Sequence, residues 1–133
     1  MLYKVDCPTP ANTLASHPVI NRVRVYPGIV TRVWVGFPRG CYGLAHLQVW
    51  HWGWQVWPWS PQQSFHWNDY MFDFSDRYPL TTEPLEFVVQ TWNLDDFYAH
   101  TPTFAVLVDP APAAGELEGL LRSLQELGLL VGG

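Results

Sequence analysis

Trp50, Trp52, Trp54, Trp57 and Trp59 fall within ten residues, with His51 and Gln55 interleaved. Indole faces stack on the apolar C–H faces of pyranose rings, and polar neighbours bond the hydroxyls, so such a run suits a saccharide platform. Tryptophan is also enriched at the centres of protein–protein interfaces. A small core, in turn, absorbs two or three indoles. Three destinations are therefore open: Trp50, Trp52 and Trp54 filling one face of a core, an interface with another protein, or a sugar site. For the last two, the candidate aromatic surface is Trp54, Trp57 and Trp59.

The second polar constellation is the stretch Trp92–Thr101, with Asn93, Asp95, Asp96 and His100. Asn93, Asp95 and Asp96 offer oxygen ligands of the kind calcium needs six to eight of. The same residue types are the ordinary material of tight turns, because their side chains bond the nearby backbone, and the turn reading is preferred. His17, His46, His51, His66 and His100 show no metal-ligand spacing, and strand parity puts His46 and His51 on opposite faces. No serine sits in a nucleophile-elbow pattern. Asp95 and Asp96 are adjacent, so their carboxylates diverge instead of flanking a glycosidic bond. The expectation is a protein that is not an enzyme and holds no cofactor or metal. Cys7 and Cys41 are either one disulfide or two idle thiols, and spacing alone does not decide.

The 133 residues carry twelve acidic and seven basic side chains, a net charge of −5. Phosphate backbones need a basic surface, so nucleic acid is excluded as a partner. At 48% apolar and 14% charged, the composition is that of a folded chain. No apolar run reaches the roughly 20 residues of a membrane helix, and MLYKVDCPTPANTL lacks the basic start and apolar stretch of a secretory signal.

The elements that must carry these groups read as strands. Val19, Val23 and Val25 alternate with Arg22 and Arg24, the signature of a half-buried strand. Further runs cover 29–35, 44–52, 54–59, 69–74, 85–92 and 103–108, separated by Gly, Pro, Asn and Asp. About seven short strands with no intervening helix predict an all-β fold, an antiparallel β-sandwich of jelly-roll or immunoglobulin-like topology. Residues 1–18, with Pro8, Pro10 and Pro18, read as an extended N-terminal arm preceding a sandwich domain over 19–108. Residues 109–133 read as a Pro-rich linker and a short C-terminal amphipathic helix. Leu117, Leu120, Leu121, Leu124 and Leu127 form its apolar stripe and are expected to bind a partner.

A small antiparallel sandwich with extended ends, carrying loops such as GFPRGCYGLAH (36–46) and WNLDDFYAHT (92–101), resembles the capsid-decoration and accessory virion proteins of tailed bacteriophages. The resemblance covers residues 19–108 and assigns no individual position. It implies a non-enzymatic role in building or reinforcing a particle. The expected partners are further copies of the chain or other capsid proteins, with arms exchanged between copies, and the expected location is the virion. The alternative is a carbohydrate-binding module with a glycan as ligand, placed outside the cell or at its surface.

Overall fold

The computed structural model describes residues 1–110 and 121–122. They form eight strands: β1 (Leu2–Asp6), β2 (Val19–Arg24), β3 (Gly28–Phe37), β4 (Ala45–His51), β5 (Trp54–Trp57), β6 (Tyr70–Leu80), β7 (Glu86–Asn93) and β8 (Thr103–Pro110). Two antiparallel four-stranded sheets result, in the orders β1-β8-β3-β6 and β2-β7-β4-β5. The pairings β1–β8, β2–β7, β3–β6 and β4–β5 are nested, as if one long hairpin had been folded over on itself. The all-β, sandwich-like reading holds, with one strand more than expected.

The extra strand lies in the segment expected to be an arm. Leu2–Asp6 pairs with Thr103–Leu107 along one edge of the first sheet. Beyond it the chain stays stitched to its own body. Cys7 N donates to Pro102 O at 2.8 Å, Thr9 bridges His100, Asn12 N donates to Asp95 O at 2.9 Å, and Thr13 bridges Asn93. Prolines obstruct a central strand but not an edge. Here Pro8 and Pro10 take the outward positions while Cys7 and Thr9 turn into the core, where the Thr9 and Thr91 hydroxyls meet at 2.7 Å. Residues 1–18 are therefore part of the sandwich.

Two further boundaries move for the same reason. β6 continues through the expected loop to Leu80, because it is an edge strand and Pro79 costs it no ladder bond. Residues 111–115 of the expected linker lie outside the described residues, while its first two, Asp109 and Pro110, belong to β8. There the backbone of Asp109 comes so close to Gly28 that any side chain at position 28 would collide with the Asp109 carbonyl.

The two sheets share one apolar core. Val30, Val33 and Val35 from β3 and Phe104, Val106 and Val108 from β8 meet Leu47, Val49, Phe87 and Val89 of the second sheet, all fully buried. The inward parity of β3 switches from even to odd positions at Thr31, where a bulge interrupts its register with both neighbours. Opposite Thr31, β6 inserts Asp76 and Arg77 between Ser75 and Tyr78. The half-buried Asp76 carboxylate of this bulge accepts the Trp57 indole N–H at 2.7 Å.

Candidate functional site

The aromatic run folds into the β4–β5 hairpin, and a bulge decides which indoles are core. Val49 pairs with Trp57 and Trp50 with Gln55, leaving Val56 as an extra residue. A one-residue shift of this kind moves a side chain to the opposite face. Without it, Trp57 would pair with Gln48 and face solvent. Instead Trp57 is 0% exposed and packs on Phe87 (5.2 Å between ring centroids), Tyr78 (5.6 Å) and Phe104 (6.2 Å) across the two sheets. Of the three expected surface indoles, Trp54 (77%) and Trp59 (67%) are exposed and Trp57 is not.

Trp52 and Gly53 form the two-residue turn of this hairpin, with φ of 46° and 74°. Such turns require positive φ at both positions, and Asn-Gly is their favoured pair. An exposed tryptophan in this conformation is strained, at a cost of about 1 kcal/mol. Trp52→Asn is thus expected to raise unfolding stability by about that amount, read as a higher urea midpoint at unchanged slope.

The outward side chains of the same hairpin line a cleft of about 540 Å³. Gln48, Trp50 and Gln55 meet Trp92 of β7, and the 58–63 loop supplies Trp59 and Gln62 to its rim. The glutamines fix this wall. Gln55 Nε2 donates to the carbonyls of Pro58 (3.0 Å), Ser60 (3.2 Å) and Gln63 (3.0 Å), and its Oε1 accepts from Gln62 N at 3.2 Å. Gln48 Nε2 donates to Gln63 O at 2.8 Å, while its Oε1 receives the Trp50 indole N–H at 3.2 Å.

Where β7 ends, the polar turn uses its oxygens internally. Asn93 Oδ1 accepts from Asp95 N at 3.0 Å. Asp95 Oδ1 accepts from Phe97 N (2.9 Å) and Tyr98 N (3.2 Å), and Oδ2 lies 2.8 Å from His100 Nε2. The backbone N–H of Phe97 and then the His100 ring hold the Asp95 carboxyl below its usual range. Both Asp95 oxygens are therefore committed to this turn, and no cluster of three or more His, Cys, Asp or Glu suited to a metal exists among the described residues. These bonds are those of a structural Asx turn. What the turn presents is apolar: Phe97 is 85% and Tyr98 69% exposed. Leu94 and Leu14 stand exposed beside them, on backbone tied to the same strands through Leu94 N–Leu44 O and Thr13–Asn93. The Asx spacing Asn93-x-Asp95-x-Phe97 was the available sequence signal for this pinned loop.

On the outer face of the second sheet, His46 stacks on Trp92 (5.2 Å, 5° between planes), lies 4.6 Å from the His66 ring and meets Ser64 Oγ at 2.8 Å. His51, as parity predicts, points the other way, to Tyr78 Oη (2.6 Å) and Pro84 O (3.0 Å). Burial, then repulsion from His66, pushes the His46 pKa down to about 4. The unfolded chain thus binds a proton the folded chain refuses, so the stability is complete above about pH 6.5 and declines toward pH 4. The full shift corresponds to roughly 3 kcal/mol, which partial solvation of the ring reduces to about 1–2 kcal/mol. His46→Gln is expected to flatten the stability–pH curve across that window, measured by chemical denaturation at stepped pH.

Cys7 and Cys41 are free and buried, and burial lifts the Cys7 thiol to about 12, which makes it inert. Of the expected partner-binding leucines, Leu117, Leu120, Leu124 and Leu127 lie outside the described residues, while Leu121 is helical and exposed. No protein-family model matches the chain, and no curated protein does.

Proposed function

We propose that this chain is a non-enzymatic assembly protein of a virus particle, of the capsid-decoration or accessory kind, that docks on neighbouring copies through the apolar end carrying Leu94, Phe97 and Tyr98. The observation that carries the reading is the presentation of Phe97 and Tyr98. Two large aromatic side chains stand in solvent on a turn whose backbone is locked by the Asp95 carboxylate and by Asn93. Exposed aromatic clusters mark interfaces. A locked turn keeps the ordering cost of docking low, because the loop is immobilised before any partner arrives.

The strand order supports the same reading at the level of architecture. Nested pairing of eight strands into two sheets is the arrangement expected of a jelly roll and not of an immunoglobulin-like sandwich. Jelly rolls serve in viral capsids and also in lectins, so the fold is an analogy and the site carries the argument. Arm exchange is not part of this proposal, since residues 1–18 are bonded within their own chain. The leucine spacing of residues 116–131 adds, on sequence alone, a second candidate contact.

Sedimentation velocity of the full chain from micromolar to near-millimolar concentration tests the proposal. A mass-action rise to a multiple of the monomer mass is expected. A monomer at every concentration would refute docking between copies.

A further inference from the structure

The cleft on the outer face of the second sheet is lined by none of Leu94, Phe97 and Tyr98, and from its chemistry we infer that it is a binding site for a neutral oligosaccharide. This assignment does not rest on the assembly proposal. The cleft volume of about 540 Å³ lies within the roughly 300–1,000 Å³ of small-ligand sites. Its lining combines indoles with primary amides and includes no charged side chain. An uncharged wall offers nothing to a phosphate, a sulfated glycan or an acidic peptide. The free Gln62 amide on its rim disfavours a purely apolar ligand, whose burial would strand that group. A pyranose matches both components, with C–H faces for the rings and hydroxyls for the Gln62 amide.

One of the rings, Trp59, is fixed before any ligand enters. Trp59 leans edge-on against Phe74 (5.9 Å, 74°) and donates its N–H to Asp76 at 3.3 Å, which leaves the rest of the indole exposed. The loop that carries it is held by Gln48 and Gln55, whose amides are consumed in doing so. Gln62, beside Trp59 on the rim, sits at φ 67°, a strained conformation held by the Gln55 bond to its N–H. The Gln62 amide and the indole N–H groups of Trp54 and Trp92 have no hydrogen-bond partner among the described residues and are left to meet hydroxyls. Trp54 and Trp59 would therefore act as stacking residues, Gln62 as a hydrogen-bonding residue, and Gln48 and Gln55 as positioning residues.

Titration calorimetry and tryptophan fluorescence with soluble neutral hexasaccharides (gluco-, xylo-, manno- and chito-oligosaccharides), and with a sulfated oligosaccharide as the charged counterpart, test the site. Saturable binding of at least one neutral series is expected, with Kd at least tenfold weaker in Trp54→Ala and in Trp59→Ala. Phe97→Ala, outside the cleft lining, is expected to leave Kd unchanged, which separates this result from the assembly proposal. Circular dichroism on each variant guards against misfolding, and Gln62→Ala provides a milder second probe with an expected severalfold loss. Silence toward every neutral series at millimolar concentration would overturn the assignment. So would preference for the sulfated sugar, or binding that survives loss of both Trp54 and Trp59.

Discussion

Trp57→Ala is expected to cost about 3–5 kcal/mol of folding stability, while Trp54→Ala, three residues away, stays within about 0.5 kcal/mol of the parent. The contrast comes from the Val56 bulge. Trp57 is fully buried, touches aromatic rings of both sheets and gives its N–H to Asp76, so truncation opens a large cavity between the sheets and removes that hydrogen bond. Trp54 stands in solvent. Equilibrium urea denaturation of the two variants measures both numbers, and equal losses would contradict the register of the β4–β5 hairpin. Asp76→Ala adds a smaller expected loss of about 1–3 kcal/mol, because the buried indole N–H then has no acceptor.

The second large effect falls on association. Phe97→Ala and Tyr98→Ala are each expected to weaken docking between copies by about 2 kcal/mol or more, close to thirtyfold, as hot-spot aromatics do. Neither supports the core, so thermal unfolding of the dissociated chain moves little. Asp95→Ala distinguishes a presented surface from mere stickiness. It leaves every aromatic in place but removes the acceptor of the Phe97 and Tyr98 amides and the partner of His100. Docking should weaken through the freed loop, which must now be ordered on binding. Dilution calorimetry reads all three variants. Undiminished association in Asp95→Ala would show that the locked turn is irrelevant to docking.

The β-class and the strand segments were legible because alternation is a local signal. Val23 and Val25 did turn inward, with Arg22 and Arg24 outward, where Arg22 pairs with Glu86 across the strands at 3.0 Å. Bulges erase that signal. Nothing in the periodicity announces that Val56 is the extra residue, yet that insertion alone turns Trp57 from a surface candidate into the centre of the core. Prolines misled for a related reason. Pro8, Pro10 and Pro79 look like strand breakers until it is known that they lie on or just beyond edge strands, and edge position is a property of topology.

The candidate site was legible in the same uneven way. Trp54 and Trp59 were recognised by type, and both are exposed. Gln48, Gln62 and Trp92, which complete the cleft, come from three separate segments that only the folded sheet brings together. Phe97 and Tyr98 are adjacent large aromatics, of a type that a core takes in as readily as a surface. Only the hydrogen bonds of Asn93 and Asp95 reveal that they are held outward.

Hydroxyl-radical footprinting of the intact chain, dilute and concentrated, bears most directly on docking through the Phe97–Tyr98 end. Side-chain oxidation of Leu94, Phe97 and Tyr98 is expected to fall sharply as the chain concentrates, while Trp54 and Trp59 react as before. Unchanged reactivity of Phe97 and Tyr98 in a concentrated sample, or protection confined to the tryptophan hairpin, would contradict the account.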